Sequence, residues 1–95
     1  MKNQLKEQLI SDLIIIIKRV KEEYEGEITG ETLLINGGVD LDSMELILLI
    51  SEIEENFSIE LGLDILFNDN FDNLNKLTET LIINNEKGVS KYYNL

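Results

Sequence analysis

The sequence predicts a small all-α domain with three long helices, one short helix and a long loop between the first two helices. Three segments carry apolar residues at spacings of three and four, the period of a helix that buries one face. A glycine-containing segment separates the first two of them. Because 95 residues suffice for one hydrophobic core, we expect residues 1–85 to form a single domain and 86–95 a loose tail.

The first helix is predicted over residues 3–24. Its apolar positions recur at helical spacing, at Leu5, Leu9, Leu13, Ile16 or Ile17, Val20 and Tyr24. The run of isoleucines from 14 to 17 would also suit a buried strand. Helix is favoured because the period of three and four continues on both sides of that run and no turn residue interrupts it.

A long loop is predicted over residues 25–41, followed by the second helix over 43–57. Apolar side chains can pin the loop to the core, at Ile28, Leu33, Leu34, Ile35 and Val39. Asp42 is the predicted N-cap, because its carboxylate can accept hydrogen bonds from the free N–H groups of the first turn, although Ser43 could also cap the helix or occupy its first position. The core-facing positions of the second helix are Leu46, Leu49, Ile50, Ile53 and Phe57.

The second helix also carries apolar residues away from its core stripe, at Met44, Ile47 and Leu48. A helix that is apolar on more than one side is either deeply buried or meets a partner. Glu54 and Glu55 lie near its C-terminal end, where the helix dipole disfavours negative charge. We therefore expect these carboxylates to attract basic partners rather than to stabilise the helix.

The last part of the chain is predicted to hold a short helix over residues 63–67 and a final helix over 71–84, capped by Asp69 or Asn70. The expected closure of the core comes from Leu61, Ile65, Leu66 and Phe67. An EF-hand template is matched in part by Asn68, Asn70, Asp72 and Glu79. The template's glycine is missing and the segment is better explained as a capped helix, so we expect no metal site.

Composition excludes several classes of function. The net charge of −11 and pI of about 4.2 argue against nucleic acid and anionic membranes and favour basic partners. Cysteine and histidine are absent, which removes thiolate chemistry, a Ser-His-Asp triad and the commonest metal ligands. We expect no catalysis. No signal peptide or membrane-length apolar run is visible, so a cytoplasmic protein is expected. A monomer is the default expectation for its oligomeric state.

Residues 33–61, LLINGGVDLDSMELILLISEIEENFSIEL, resemble the signature region of the acyl carrier and peptidyl carrier protein family. Asp42-Ser43-Met44 stands where that family has Asp-Ser-Leu, and methionine keeps the size and apolarity of leucine. The resemblance implies a small four-helix bundle of the acyl-carrier type. It also implies that Ser43 carries a covalent 4′-phosphopantetheine arm, with Asp42 and Met44 beside it.

A carrier of this kind would hold an acyl or aminoacyl group as a thioester and pass it between enzymes of fatty-acid, polyketide or nonribosomal peptide biosynthesis. The implied partners are a magnesium-dependent phosphopantetheinyl transferase, a loading ligase, and synthases or synthetases with basic docking patches. Contacts with them are expected at Met44, Ile47, Leu48, Glu54 and Glu55. Leu48 stands where many fatty-acid carriers have an acidic residue, which favours a specialised role slightly.

A second class of function fits the same composition. The chain could be a small acidic helical adaptor that binds a basic partner without modification, and Ser43 would then be only a helix cap.

Overall fold

The part of the chain that the structure describes contains three α-helices and one 3-10 turn, in the chain order α1 (Lys2–Val20), α2 (Ser43–Phe57), the 3-10 turn (Leu63–Leu66) and α3 (Leu74–Glu86). The structure, a computed structural model, describes residues 2–66 and 69–86. Over these ranges the only strand-like feature is one isolated bridge between Leu33 and Asn73. The predicted all-α class is confirmed.

The predicted short helix, third in chain order, is a single 3-10 turn. It covers Leu63–Leu66, whereas the sequence predicted a helix over 63–67, and Phe67 lies outside the described residues. Gly62 precedes it with a φ of 73°, a backbone conformation that does not continue a helix. The turn's length of four residues is typical of a 3-10 helix, whose poorer hydrogen-bond geometry disfavours longer runs.

The end of α1 differs from the prediction. The helix ends at Val20 rather than at residue 24, and residues 21–23 form a turn. The N–H of Tyr24 donates to the carbonyl of Lys21 at 3.1 Å, and the Tyr24 side chain remains half-buried against the core. The apolar spacing extends past the end of the helix because Tyr24 still packs against the core from the segment after the turn.

The start of α3 also differs from the prediction. The helix begins at Leu74 rather than at residue 71, and its first turn is capped by Asn73, not by Asp69 or Asn70. The Asn73 side-chain oxygen accepts from the N–H of Lys76 at 2.8 Å. The helix also runs to Glu86, past the predicted end at 84 and into the first residue of the predicted tail. The rest of that tail, residues 87–95, lies outside the described part of the chain.

The core lies between α1 and the two other helices, since α1 packs against both α2 and α3 and the 3-10 turn packs against α2. Its buried apolar residues are Leu9, Leu13, Ile16, Ile17, Ile28, Leu34, Val39, Leu41, Leu49, Ile50, Ile53, Phe57, Ile59, Ile65, Phe71, Leu74, Leu77 and Leu81. Leu33, which was expected to pin the loop, has a side chain that is 45% exposed. Its backbone holds the loop instead, because the Leu33 carbonyl accepts from the N–H of Val39 at 2.9 Å.

Backbone hydrogen bonds hold the loop before α2 through both the N–H and the carbonyl of Leu34. The N–H of Leu34 donates to the carbonyl of Asp72 at 3.1 Å, and the N–H of Leu41 donates to the carbonyl of Leu34 at 2.8 Å. Gly38 has a φ of 59°, and a Cβ at this position would collide with the carbonyl oxygen of Leu33. The loop is thereby tied to the start of α3 and leads the chain into α2 along a fixed path.

Candidate functional site

Ser43 is the first residue of α2, and its side chain is exposed. Its hydroxyl makes no hydrogen bond with any residue that the structure describes. The first turn of a helix presents free N–H groups and the positive end of the helix dipole, both of which favour an anion. The hydroxyl is thus open to solvent at a position where an attached phosphate would be stabilised.

The cap of α2 is formed by Asp42 and Glu45, without the serine. Asp42 has the extended backbone of an N-cap, and its carboxylate accepts from the N–H of Glu45 at 2.8 Å. In return, the Glu45 carboxylate accepts from the N–H of Asp42 at 2.9 Å. The predicted cap at Asp42 is confirmed. The sequence analysis missed the role of Glu45, although an acid three residues after the cap is the signal of a reciprocal capping box.

Lys21 connects the end of α1 to this cap. Its ammonium donates to the carbonyl of Asp40 at 2.8 Å and lies 3.4 Å from a carboxylate oxygen of Glu45. The Lys21 and Glu45 side chains are only 18% and 19% exposed, so water screens this ion pair less than it screens pairs at the surface. No local sequence pattern predicts this role of Lys21, because its partners come together only through the fold.

Three predicted partner-binding residues form an exposed apolar surface along α2. Met44 is 68% exposed, Ile47 40% and Leu48 52%. Met44 follows Ser43 directly, and Ile47 lies one turn further along the helix, so these side chains flank the hydroxyl. Leu48 also lines a shallow cleft of about 130 Å³ with Arg19, Val20 and Glu52.

The two predicted docking carboxylates differ in their surroundings. A carboxylate oxygen of Glu54 accepts from the N–H of Leu61 at 2.7 Å and from the N–H of Gly62 at 3.1 Å. Glu55 is exposed and makes no hydrogen bond within the described ranges. Glu54 therefore holds the segment before the 3-10 turn, a structural role that the sequence analysis missed, whereas Glu55 is available to a partner.

Neither a metal site nor a membrane-crossing segment occurs in the described part of the chain. Within residues 2–66 and 69–86, no three acidic side chains come together in a way that could hold a metal ion. None of the helices in these ranges has both the length and the apolar content needed to cross a membrane.

Comparisons of the chain with protein-family models, with curated proteins and with solved structures find no match. The function of the protein is therefore inferred from its own residues and geometry.

Proposed function

We propose that the protein is a free-standing carrier that holds an acyl or aminoacyl group as a thioester on a 4′-phosphopantetheine arm attached to Ser43. One observation carries the proposal: Ser43 presents an exposed hydroxyl without a described hydrogen-bond partner, while Asp42 beside it caps the helix. A serine that served as the cap would direct its oxygen to a backbone N–H two or three residues ahead. The free hydroxyl favours a chemical role over a structural one.

The chemistry expected of Ser43 is that of a phosphate acceptor. Its oxygen forms a bond to the phosphorus next to the pantetheine of coenzyme A, the diphosphate bond breaks, and adenosine 3′,5′-bisphosphate leaves. The proton of the hydroxyl passes to the transferase, which supplies the magnesium ion. The attached group supplies a thiol, which this chain, having no cysteine, lacks. The N–H groups of the first turn of α2 favour the phosphodiester charge.

The surroundings of Ser43 fit a surface that partner enzymes contact. We assign the apolar contacts to Met44, Ile47 and Leu48, which are all exposed. Glu55 steers basic enzymes toward this surface, since attraction between opposite charges speeds encounter. Glu54 contributes to the negative field while its carboxylate stays bound to the backbone of the next segment. In this proposal the 3-10 turn takes the place of the short third helix of a carrier-type bundle.

The acidic adaptor is the competing function, and the net charge of −11 supports it as well as it supports a carrier. The two functions differ at Ser43, because an adaptor needs only a capped helix there and the cap is already complete without the serine.

The test is transfer of phosphopantetheine to the purified protein. The protein is incubated with coenzyme A, magnesium and a phosphopantetheinyl transferase of broad specificity, and its intact mass is measured. We expect wild type to gain the mass of one phosphopantetheinyl group and Ser43→Ala to gain none. Ser51→Ala is the matched control, because Ser51 is another exposed serine of α2, and it should be modified like wild type. A folded wild-type protein that stays unmodified, or a modified Ser43→Ala protein, would overturn the proposal.

A further inference from the structure

The loop before α2 contains an asparagine followed directly by a glycine, Asn36-Gly37, the only such pair in the sequence. Asn36 is exposed. Within residues 2–66 and 69–86, neither its side-chain amide nor the backbone N–H of Gly37 makes a hydrogen bond, although the carbonyl of Gly37 accepts from the N–H of Asp40 at 2.9 Å. An electrophilic side-chain carbonyl and a nitrogen that can attack it are thus both unengaged on adjacent residues.

The backbone at this pair is suited to the rotation that brings these two atoms together. The φ angles of Asn36, Gly37 and Gly38 are 57°, 133° and 59°. Among the described residues, the N–H groups of residues 35–38 have no hydrogen-bond acceptor that would hold them in place. The attack requires the Gly37 nitrogen to turn toward Cγ of Asn36. A side chain at position 37 would obstruct that turn, and glycine has none.

Two asparagines elsewhere in the chain are held in a way that Asn36 is not. The side-chain nitrogen of Asn56 donates to the carbonyl of Glu52 at 2.7 Å, and the side-chain oxygen of Asn73 accepts from the N–H of Lys76 at 2.8 Å. Each is followed by a residue with a bulky side chain. Asn56 and Asn73 therefore serve as internal references for Asn36.

We propose that Asn36 is a site of spontaneous deamidation through the backbone of Gly37, with water as the co-reactant. The Gly37 nitrogen forms a bond to Cγ of Asn36, and its proton leaves with the side-chain amino group as ammonia, which closes a five-membered succinimide. Water then opens the ring at one of its two C–N bonds. Opening at Cγ leaves aspartate at position 36, and opening at the backbone carbonyl leaves isoaspartate. Each product has gained one negative charge.

The two products differ in what they do to the loop. The N–H of Val39 donates to the carbonyl of Leu33 at 2.9 Å, and the N–H of Leu41 donates to the carbonyl of Leu34 at 2.8 Å, so the reacting bond lies inside both of these closed turns. Aspartate keeps the length of the backbone, whereas isoaspartate adds a methylene to it. We therefore expect isoaspartate to weaken both hydrogen bonds and the hold of the loop on the start of α2. This chemistry goes beyond the carrier function, since it does not involve Ser43.

The test follows the folded wild-type protein in mildly alkaline buffer, beside a sample unfolded in guanidinium chloride. Anion exchange detects the added charge, an enzymatic assay detects ammonia, and fragmentation of peptides locates the change. We expect conversion at Asn36 in the folded protein at a rate comparable to that of the unfolded chain, with Asn56 and Asn73 intact. Asn36→Gln should stop the release of this ammonia, because glutamine does not form a five-membered ring. Of the two separated products, the isoaspartate form should show faster hydrogen exchange at the amides of residues 39 and 41.

A folded rate more than about tenfold below the unfolded rate would overturn the proposal, because the loop would then have to open before it reacts. Conversion of Asn56 or Asn73 in preference to Asn36, or undiminished ammonia from Asn36→Gln, would also overturn it. Equal exchange rates in the two products would contradict the expected effect on the loop. All of these readouts are independent of whether Ser43 accepts phosphopantetheine.

Discussion

The ammonium of Lys21 lies 3.4 Å from a carboxylate oxygen of Glu45, and this ion pair joins the end of α1 to the first turn of α2. The same Glu45 oxygen accepts from the N–H of Asp42 at 2.9 Å, and Lys21 also donates to the carbonyl of Asp40 at 2.8 Å. The start of α2 is therefore held from both the preceding loop and the neighbouring helix. Ser43 lies between Asp42 and Glu45, but its hydroxyl takes no part in these hydrogen bonds.

Lys21→Met should destabilise the protein by about 1–2 kcal/mol, since it removes a charged hydrogen bond to Asp40 and a partly buried ion pair with Glu45. Urea unfolding gives the free energy, because urea does not screen charges. Lys6→Met is the matched control: Lys6 pairs with Glu79 at 3.5 Å, but the two side chains are 34% and 56% exposed. The control should cost less than about 0.5 kcal/mol. Equal losses would mean that Lys21 contributes no more than a surface ion pair.

Asp42→Ala should destabilise the protein by about 1 kcal/mol, because it removes the acceptor for the Glu45 N–H. Asp42→Asn keeps an acceptor at the cap and should cost much less. Ser43→Ala should change the free energy of unfolding by less than about 0.5 kcal/mol, as expected for an exposed side chain without hydrogen bonds. Thermal or urea unfolding of the three variants measures this order. The opposite order would identify the serine as the cap.

Glu54→Ala should destabilise the protein by about 1–2 kcal/mol, because the backbone N–H groups of Leu61 and Gly62 lose a charged acceptor. Hydrogen exchange of these two amides should become faster. Glu55→Ala, the neighbouring control, should leave both exchange rates and stability nearly unchanged. Unchanged exchange at residues 61 and 62 in Glu54→Ala would contradict the structural role of Glu54.

Gly38→Ala should destabilise the protein more than Gly62→Ala. Both glycines have positive φ, at 59° and 73°, so alanine is strained at each by about 1 kcal/mol. At Gly38 the added Cβ would collide with the carbonyl oxygen of Leu33. At Gly62 no atom lies within 4 Å of the added Cβ. The free energies of unfolding measure the difference. Equal losses would mean that the loop around Gly38 adjusts at little cost.

The sequence predicted the elements whose signals are local. The bounds of α2 agree with the prediction because Asp42 gives a strong cap signal and the apolar stripe continues unbroken to Phe57. The start of α3 was misplaced, because Phe71 fits the helical spacing while the backbone of Asp72 is bound to the loop at Leu34. A hydrogen bond between segments so far apart in the chain leaves no trace in the periodicity of either one.

The candidate site was predictable to the same extent. Ser43 was identified by the resemblance of its motif to that of carrier proteins, and Met44 and Ile47 by their positions off the core stripe of α2; the structure shows all three exposed. The contacts of Lys21 and Glu54 were not, because each joins residues that only the folded chain brings together. A charged residue on the exposed face of a predicted helix can therefore form hydrogen bonds with backbone groups outside that helix, as Glu54 does.

The carrier account is tested most directly by locating the modification within the chain. The wild-type protein is treated with coenzyme A and a phosphopantetheinyl transferase, digested, and its peptides are fragmented in a mass spectrometer. The account predicts the phosphopantetheinyl mass on Ser43 and on none of the other serines, which are Ser11, Ser51, Ser58 and Ser90. A folded protein whose Ser43 remains unmodified, under conditions that fully modify an authentic carrier protein, would contradict it.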